Sequence, residues 1–282
     1  MRIPEICAKC LYDRQTERSD NAEYLSEIKE LIDNRSEDDT TAYMVYLFKQ
    51  VHWKYYGAGL DYTDIKKQFN DLLLGMEERL QNEIESAPDP LERSIAMARI
   101  GNYIDFGAME SVDENELREQ LDKAADIVIG ADVLDSFRKD VISARQMVYF
   151  TDNCGEIVTD KLLISVMRRL APELAVTVVV RSKEAVNDAT IEDARQIRME
   201  EAASCVIGNG NGMPGNVIRE MSPEALKEIE KADVLVSKGQ GNYEGLSGCG
   251  LNIYYLFLCK CETFMKRFGV PQFTGIMTRE EA

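Results

Sequence analysis

The spacing of apolar residues divides the chain into two parts. In residues 1–145 apolar side chains recur at helical spacing, and no segment alternates with the period of two that is typical of a strand. Proline is favoured in the first turn of a helix, so a helix is predicted to begin near Pro90 and to run through Arg99. The other predicted helices of this part are 20–32, 40–55 and 62–84.

The second part, residues 146–282, alternates short runs typical of strands with helical stretches. The predicted strands are 146–151, 174–181, 205–207, 233–237 and 252–258. The predicted helices between and after them are 157–170, 190–200, 222–231 and 262–268. Repeated strand–helix–strand units imply right-handed crossovers and a mainly parallel sheet that is covered on both faces. We therefore predict an α/β protein with a three-layer α/β/α domain over 146–282, preceded by a helical domain over 1–145.

Composition and charge exclude several classes of partner and of metal site. The 282 residues include 50 acidic and 33 basic side chains, a formal net charge of −17. Such a surface repels nucleic acid and anionic membranes, so neither is an expected partner. No segment reaches the ~18 consecutive apolar residues of a membrane span, and the seven cysteines are an odd number, which favours a cytoplasmic protein with reduced thiols. The single histidine, His52, excludes a zinc site built on several histidines.

The loops that follow the predicted strands are rich in Asp, Asn and Gly. In an open parallel sheet ligands bind outside the carboxyl ends of the strands, so these loops should meet at one rim. Such residues are also common in ordinary turns, but several of these loops on one rim favour a site. The loops are 151–156 (TDNCGE), 187–190 (NDAT), 208–212 (GNGNG) and 237–244 (SKGQGNYE).

The chemistry available at this rim suits a metal ion and a phosphate. Asp152, Asn153 and Asp188 offer the oxygen ligands that hard divalent cations prefer. Lys238 beside Gly239 offers an ammonium group and backbone N–H groups near a phosphate. A metal and a lysine together create a positive pocket that suits phosphoryl chemistry. Asp188 has a simpler interpretation as the cap of the following helix.

Several segments together resemble the metal-dependent damage-control phosphatases, a family that includes the acidic-residue-methyltransferase-like proteins. The pair Cys7 and Cys10 resembles its short microbial branch in particular. The resemblance covers most of the chain, and it is strongest at 152–156 and 237–244. The segments that carry it are 7–10 (CAKC), 61–70, 101–107 (GNYIDFG), 152–160 (DNCGEIVTD), 187–188 and 237–244.

The resemblance implies a helical N-terminal region, an α/β/α domain and a site at the strand ends. It implies Mn²⁺, Mg²⁺, Co²⁺ or Ni²⁺ bound by Asp152, Asn153 and Asp188, and hydrolysis of small phosphate esters such as sugar phosphates or damaged metabolites. The substrate contacts that it implies match Glu156, Lys238 and the segment with Gly239 and Asn242. Asn102 and Asp105 are candidates for the wall of the same site, or else helix caps.

One departure concerns a lysine. Eukaryotic members carry an Arg-Thr-x-Lys motif near the C-terminus, whereas residues 273–279 here read FTGIMTR. The sequence therefore predicts that a substrate lysine is missing from this region, and the range of sugar phosphates is left open.

The expected mechanism assigns one role to each group. Asp152, Asn153 and Asp188 hold the ion, which activates a water molecule. Lys238 neutralises charge on the phosphate, and Glu156 orients the substrate or the water. An alternative makes Asp152 a nucleophile that forms an aspartyl-phosphate.

Two other functions and one other site stay open. The chain could bind a metal and a small phosphorylated metabolite without hydrolysis, or it could methylate acidic residues. Cys7 and Cys10 could form half of a zinc site with Cys259 and Cys261, although the spacing of the second pair is poor for zinc. Cys154 is expected to be a small packed residue. The oligomeric state is not predicted.

Overall fold

The computed structural model describes residues 3–57, 59, 61–105 and 113–281. Phe106 and Gly107, which end the segment 101–107, lie outside the described residues. Polar side chains begin several helices of the first part, since Asn21, Asp89 and Asp113 each accept hydrogen bonds from N–H groups of the following turn. These helices are α1 (Glu5–Arg18), α2 (Ala22–Asp33), α3 (Thr41–Tyr56), α4 (Thr63–Leu74), α5 (Glu77–Glu85), α6 (Pro90–Gly101), α7 (Glu114–Asp122) and α8 (Ala131–Ser143).

The second part forms a six-stranded sheet in the order β3-β2-β1-β4-β5-β6. Its strands are β1 (Gln146–Phe150), β2 (Ala175–Val180), β3 (Cys205–Gly208), β4 (Val234–Lys238), β5 (Ile253–Leu258) and β6 (Gly275–Glu280). Its helices are α9 (Glu156–Leu170), α10 (Ile191–Gln196), α11 (Pro223–Lys231), α12 (Gln240–Leu246) and α13 (Glu262–Phe268). Strands β1 to β5 are all parallel to one another, and β6 pairs antiparallel with β5 at the edge of the sheet.

The strand order places a crevice at the end of β1. Phe150 is paired with Val179 of β2 on one side and with Ser237 of β4 on the other. The chain leaves β1 and β4 towards different neighbours, so the loops after these two strands separate there. This is the position at which open α/β sheets bind ligands.

Apolar side chains of successive strand residues enter two separate cores. Tyr149, Val178 and Val236 pack with α4–α9 on one face, whereas Val148 and Leu235 pack with α11–α13 on the other. The predicted α/β fold with a mainly parallel sheet covered on both faces is therefore confirmed. Helices α4–α8 share a core with the sheet, whereas α1–α3 form a cluster of their own. The division into domains at residue 145 stays a prediction.

The structure differs from the predicted elements in a few places. The predicted helix 62–84 is two helices, because the chain turns at Gly75 and Met76, where glycine weakens helix propagation. The helix predicted over 190–200 ends at Gln196, and Arg198 adopts a left-handed conformation with φ 54°. The strand β6 and the helix α12 were not predicted, and the helices α1, α7 and α8 were not predicted individually within the helical first part. Among the residues described, none of the helices is long and apolar enough to cross a membrane.

Candidate active site

A cleft of about 330 Å³ opens at the carboxyl ends of the strands, beneath helices α1 and α3. Of the residues predicted for the site, Asp105, Asp152, Asn153 and Asp188 line it. The other charged or polar lining residues include Arg14, Thr41, Tyr62, Gln240, Glu244 and Lys260, together with side chains of α1 and α13. The predicted rim therefore exists, but only part of the predicted set faces the cleft.

Asp152 and Asn153 follow β1 directly and are held by amide groups. Asp152 Oδ2 accepts hydrogen bonds from Asn102 Nδ2 at 3.0 Å and from Asn153 Nδ2 at 2.9 Å. Asn102 in turn is fixed to the sheet, because its Oδ1 accepts from the backbone N–H of Leu258. Asn102 is fully buried. It therefore positions Asp152 from beneath the rim rather than forming the wall of the site.

Two glycines permit this packing. Gly239 has φ 84°, and a Cβ atom at this position would lie 1.9 Å from Asp152 Oδ2. Gly155 has φ 69°, and a Cβ there would lie 2.8 Å from Ile104 Cδ1. Gly239 thus allows the end of β4 to approach the Asp152 carboxylate. Its N–H donates to Leu256 O, so the Gly239 N–H is already engaged in this structure, and the predicted contact of Gly239 with substrate stays a prediction.

Asp188 lies opposite Asn153 through a pair of backbone hydrogen bonds. Cys154 N–H donates to Asn187 O at 2.8 Å, and Ala189 N–H donates to Asp152 O at 2.7 Å. The Asp188 carboxylate accepts from Arg181 Nε at 2.6 Å.

The predicted capping role of Asp188 belongs to another residue. Thr190 caps α10 and forms a capping box with Asp193. Asp188 lies two residues before that cap and does not take part in it. Its side chain lines the cleft instead.

Lys238 is a buried counter-ion. Its Nζ donates to Ala98 O at 2.8 Å, to Glu156 Oε1 at 2.7 Å and to Asp160 Oδ1 at 2.5 Å. Its side chain has no exposed surface. All three N–H groups of the ammonium therefore have acceptors, and in this arrangement none is left for the phosphate that Lys238 was predicted to contact.

Glu156 is also fully enclosed. Besides Lys238, its carboxylate accepts from Asn102 Nδ2 at 3.0 Å and from the Asn153 backbone and side-chain N–H groups at 3.2 and 2.9 Å. The predicted role of orienting substrate or water requires access that this carboxylate lacks. It instead fixes Asn102 and Asn153, which hold Asp152.

Asn242 likewise connects elements rather than facing the cleft. Its Nδ2 donates to Thr151 O and Lys238 O, at 3.0 and 2.7 Å, and its Oδ1 accepts from Arg181 Nη2 and from Asn216. The side chain is fully buried. The amide therefore joins the ends of β1, β2 and β4, which corrects its predicted contact with substrate.

A lysine does face the cleft, at a position that sequence reasoning missed. Lys260 follows β5, lines the cleft and donates from Nζ to Asp105 Oδ2 at 2.6 Å. The sequence search concerned residues 273–279, which form most of β6 at the edge of the sheet. The signal that could have found Lys260 is its position two residues after a strongly apolar strand, at the same rim as the other loops.

Negative charge is in excess at this rim. Burial raises the pKa of Asp152 well above its ordinary value, and the Glu156, Asp188 and Asp105 carboxylates raise it further. Burial also raises the pKa of Asp188 to about 6, although Arg181 opposes this shift. Carboxylates that repel one another in a buried site favour the binding of a proton or a cation.

The residues present fit a divalent cation of the Mg²⁺ class. Two carboxylates, Asp152 and Asp188, and the Asn153 amide lie at one end of the cleft. Over the described residues, no group of three or more His, Cys, Asp or Glu side chains has a spacing that could hold a metal. Mg²⁺ is usually bound through one or two carboxylates, with water and substrate oxygens completing the shell, so this donor set suffices for it.

Within the described part of the chain, the cysteines do not gather into a group that could hold zinc. Cys259 is buried in the core beneath α13, whereas Cys7 and Cys261 are half-buried at the cleft and Cys10 is exposed. Cys7 lies 3.2 Å from Thr263 Oγ1. Burial raises the pKa of the Cys154 thiol far above its usual range, which agrees with a packed and unreactive residue.

Comparisons with known proteins point in one direction. A family model described as the damage-control phosphatase ARMT1-like domain matches residues 1–275. A damage-control phosphatase of Archaeoglobus fulgidus is 31% identical over 281 residues, which are 96% of each chain. A damage-control phosphatase of Pyrococcus horikoshii is 31% identical over 182 residues, which cover 64% of this chain and 62% of that protein.

A solved structure shares the fold over its full length. It is the crystal structure of a DUF89 family protein from Pyrococcus horikoshii, with a TM-score of 0.81, 24% identity and complete coverage of both chains.

Proposed function

The chain belongs to the ARMT1-like damage-control phosphatase family, and from this we propose that it is a metal-dependent phosphatase that hydrolyses small phosphorylated metabolites in the cleft described above. Family membership supports a phosphatase that acts on damaged phosphometabolites. The observation that carries the assignment to this cleft is the convergence of Asp152, Asn153 and Asp188 with Lys260 at the ends of the parallel strands.

The proposed cofactor is Mn²⁺ or Mg²⁺, with Co²⁺ or Ni²⁺ as substitutes, and Asp152, Asn153 and Asp188 would hold it. Such an ion polarises a phosphate oxygen and lowers the pKa of a bound water. Asn102 and Glu156 fix the position of Asp152, and Arg181 fixes that of Asp188. The site is thus built before any ligand arrives, which reduces the reorganisation needed during the reaction.

Lys260 takes the role that the sequence had assigned to Lys238. Its ammonium has one described acceptor, the Asp105 carboxylate, and two N–H groups are left for the oxygens of a phosphate. A cation at this place stabilises the charge of the transferring phosphoryl group. Asp105 holds Lys260 in place, so its contribution is that of a positioning residue.

We also propose that the protein acts in the cytoplasm. The acidic surface and seven free cysteines favour this compartment. Whether water or Asp152 attacks the phosphate is decided by the stereochemical course at an isotopically chiral phosphorus. Direct attack by water inverts the configuration, whereas two successive displacements through an aspartyl-phosphate of Asp152 retain it.

Phosphate release from p-nitrophenyl phosphate and from a panel of sugar phosphates tests the function. The protein is first treated with a chelator, and each metal is then added back. We expect release to depend on the metal and to fall roughly 100-fold or more in Asp152→Ala and Lys260→Met. Lys54→Met is the matched control, since Lys54 is exposed and pairs with Glu27 on the surface. Folded protein without release under any metal would refute the proposal.

A further inference from the structure

The cleft continues into a second chamber of about 190 Å³. The two cavities share lining residues, among them Gln15, Arg18, Tyr62 and Val186. They therefore adjoin: Asp152 and Asp188 line the first cavity, and residues of α1 and α3 line both. A phosphate ester bound at the rim would direct its other end towards this chamber.

The chamber is lined partly by apolar side chains. It is also lined by several basic side chains, although the protein as a whole is acidic. Val45, Phe48 and Pro214 supply apolar surface. Arg18, Lys49 and His52 supply one guanidinium, one ammonium and one imidazole. In a chain with a net charge of −17, a lining in which the permanent cations equal the carboxylates in number is locally less negative than the protein as a whole.

The two permanent cations keep donors for a ligand. Lys49 Nζ donates to the backbone carbonyl of Glu184 and lies 5.3 Å from the centre of the Trp53 ring, and neither contact neutralises its charge. The Arg18 guanidinium makes no hydrogen bond or ion pair with the residues that the structure describes. Burial lowers the pKa of Lys49, which indicates that its ammonium gains from an added anion.

Two carboxylates also line the chamber, and both are already engaged. Glu184 accepts from Lys66 Nζ at 2.7 Å. Asp61 Oδ1 accepts from the Thr63 backbone N–H at 2.9 Å. Neither carboxylate forms an ion pair with Arg18 or Lys49 within the described part of the chain.

The backbone between the two cavities is also unusual. Val186 lines both of them and has φ 52°, a conformation that β-branched residues rarely adopt. It lies two residues before Asp188, so the loop that carries the proposed metal ligand also shapes the entrance of the chamber.

We propose that this chamber binds the leaving-group end of the substrate, and that it selects phosphomonoesters whose organic part ends in a second anionic group such as a carboxylate. The apolar walls would contact the connecting carbon chain, and Arg18 and Lys49 would bind the distal anion. This inference rests on the proposed function, because it takes the rim with Asp152 and Asp188 as the seat of the phosphate.

Binding of phosphonates that cannot be hydrolysed tests the chamber without any turnover. Calorimetry on the Mn²⁺-loaded protein compares alkylphosphonates with ω-carboxyalkylphosphonates in a series of increasing chain length. We expect the carboxylate to tighten binding roughly tenfold at one matching length, the effect of one charge-assisted contact. Lys49→Met and Arg18→Met should each remove most of this gain. Lys54→Met, on the outer surface of the same helix as Lys49, should retain it.

Two results would overturn the proposed role of the chamber. One is that the carboxylate does not tighten binding at any chain length. The other is that the tighter binding survives in both Lys49→Met and Arg18→Met. Two variants are used because Arg18 is exposed, so its replacement does not threaten folding even if that of Lys49 does. Release of phosphate from p-nitrophenyl phosphate, measured on the same samples, reports separately on the phosphatase function.

Discussion

Replacing Lys238 by methionine should destabilise the protein strongly, because this lysine is the counter-ion of a buried network. The methionine side chain fills most of the volume but donates no hydrogen bond. Glu156, Asp160 and the carbonyl of Ala98 would each lose a donor in a region with no solvent access. A contact with phosphate, the role first expected for Lys238, would predict a loss of activity with little loss of stability.

The magnitude follows from the burial of the network. Breaking a buried ion pair by removing one partner costs about 3–5 kcal/mol, because the remaining charge is uncompensated. Tyr149 still donates to Asp160 at 2.8 Å, and Asn102 and Asn153 still donate to Glu156, so these contacts limit the cost. We expect a decrease of about 3–4 kcal/mol in the free energy of unfolding near neutral pH.

The pH dependence provides a second signature. Burial raises the pKa of Asp160 to about 7, although Lys238 opposes the shift, so removal of Lys238 should raise this pKa further. A carboxyl group whose pKa is higher in the folded state than in the unfolded state costs stability as the pH rises between the two values. The variant should therefore be closer to the wild type at about pH 5 than at about pH 8.

Urea unfolding of the wild type and of Lys238→Met at the two pH values measures both effects. Lys54→Met is again the control, since its exposed ion pair should be worth less than about 1 kcal/mol. A change below about 1 kcal/mol in Lys238→Met, accompanied by a large loss of kcat/KM, would refute the counter-ion interpretation. Adding Asp160→Asn to Lys238→Met should recover part of the loss, because it removes one of the stranded charges.

Two further predictions concern the rim. Gly239→Ala should cost about 2 kcal/mol or more, because its Cβ would meet Asp152 Oδ2, whereas Gly248→Ala, with a similar φ of 85° and nothing within 4 Å, should cost about 1 kcal/mol. Equal losses in urea unfolding would show that the left-handed backbone alone matters. Asp152→Asn should abolish activity yet raise the melting temperature of the metal-free protein, since it removes a buried carboxylate that is repelled by Glu156, Asp188 and Asp105. A lower melting temperature in this variant would contradict the excess of negative charge.

The sequence alone determined most of the strands, most of the helices and the rim. Helical spacing and runs of β-branched residues depend on each residue and its near neighbours, so they can be recognised without tertiary contacts. The parallel arrangement then placed the loops with Asp152, Asn153 and Asp188 at one edge, and the structure brings these three together. The antiparallel strand β6 was not recognised, because its residues Gly275–Glu280 lack a distinct apolar run.

Only the tertiary structure decided which residues of the rim face the cleft. Lys238 ends β4 and Lys260 follows β5, but the first donates to the carbonyl of Ala98, 140 residues earlier in the chain, and the second to Asp105. Asn102 meets Asp152, a partner 50 residues away. The helices α1 and α3, which contribute Arg18 and Lys49 to the second chamber, come from a cluster separate from the sheet. Contacts between residues so distant in sequence leave no local pattern, so the roles of the two lysines and the shape of the cleft depend on packing that the sequence does not display.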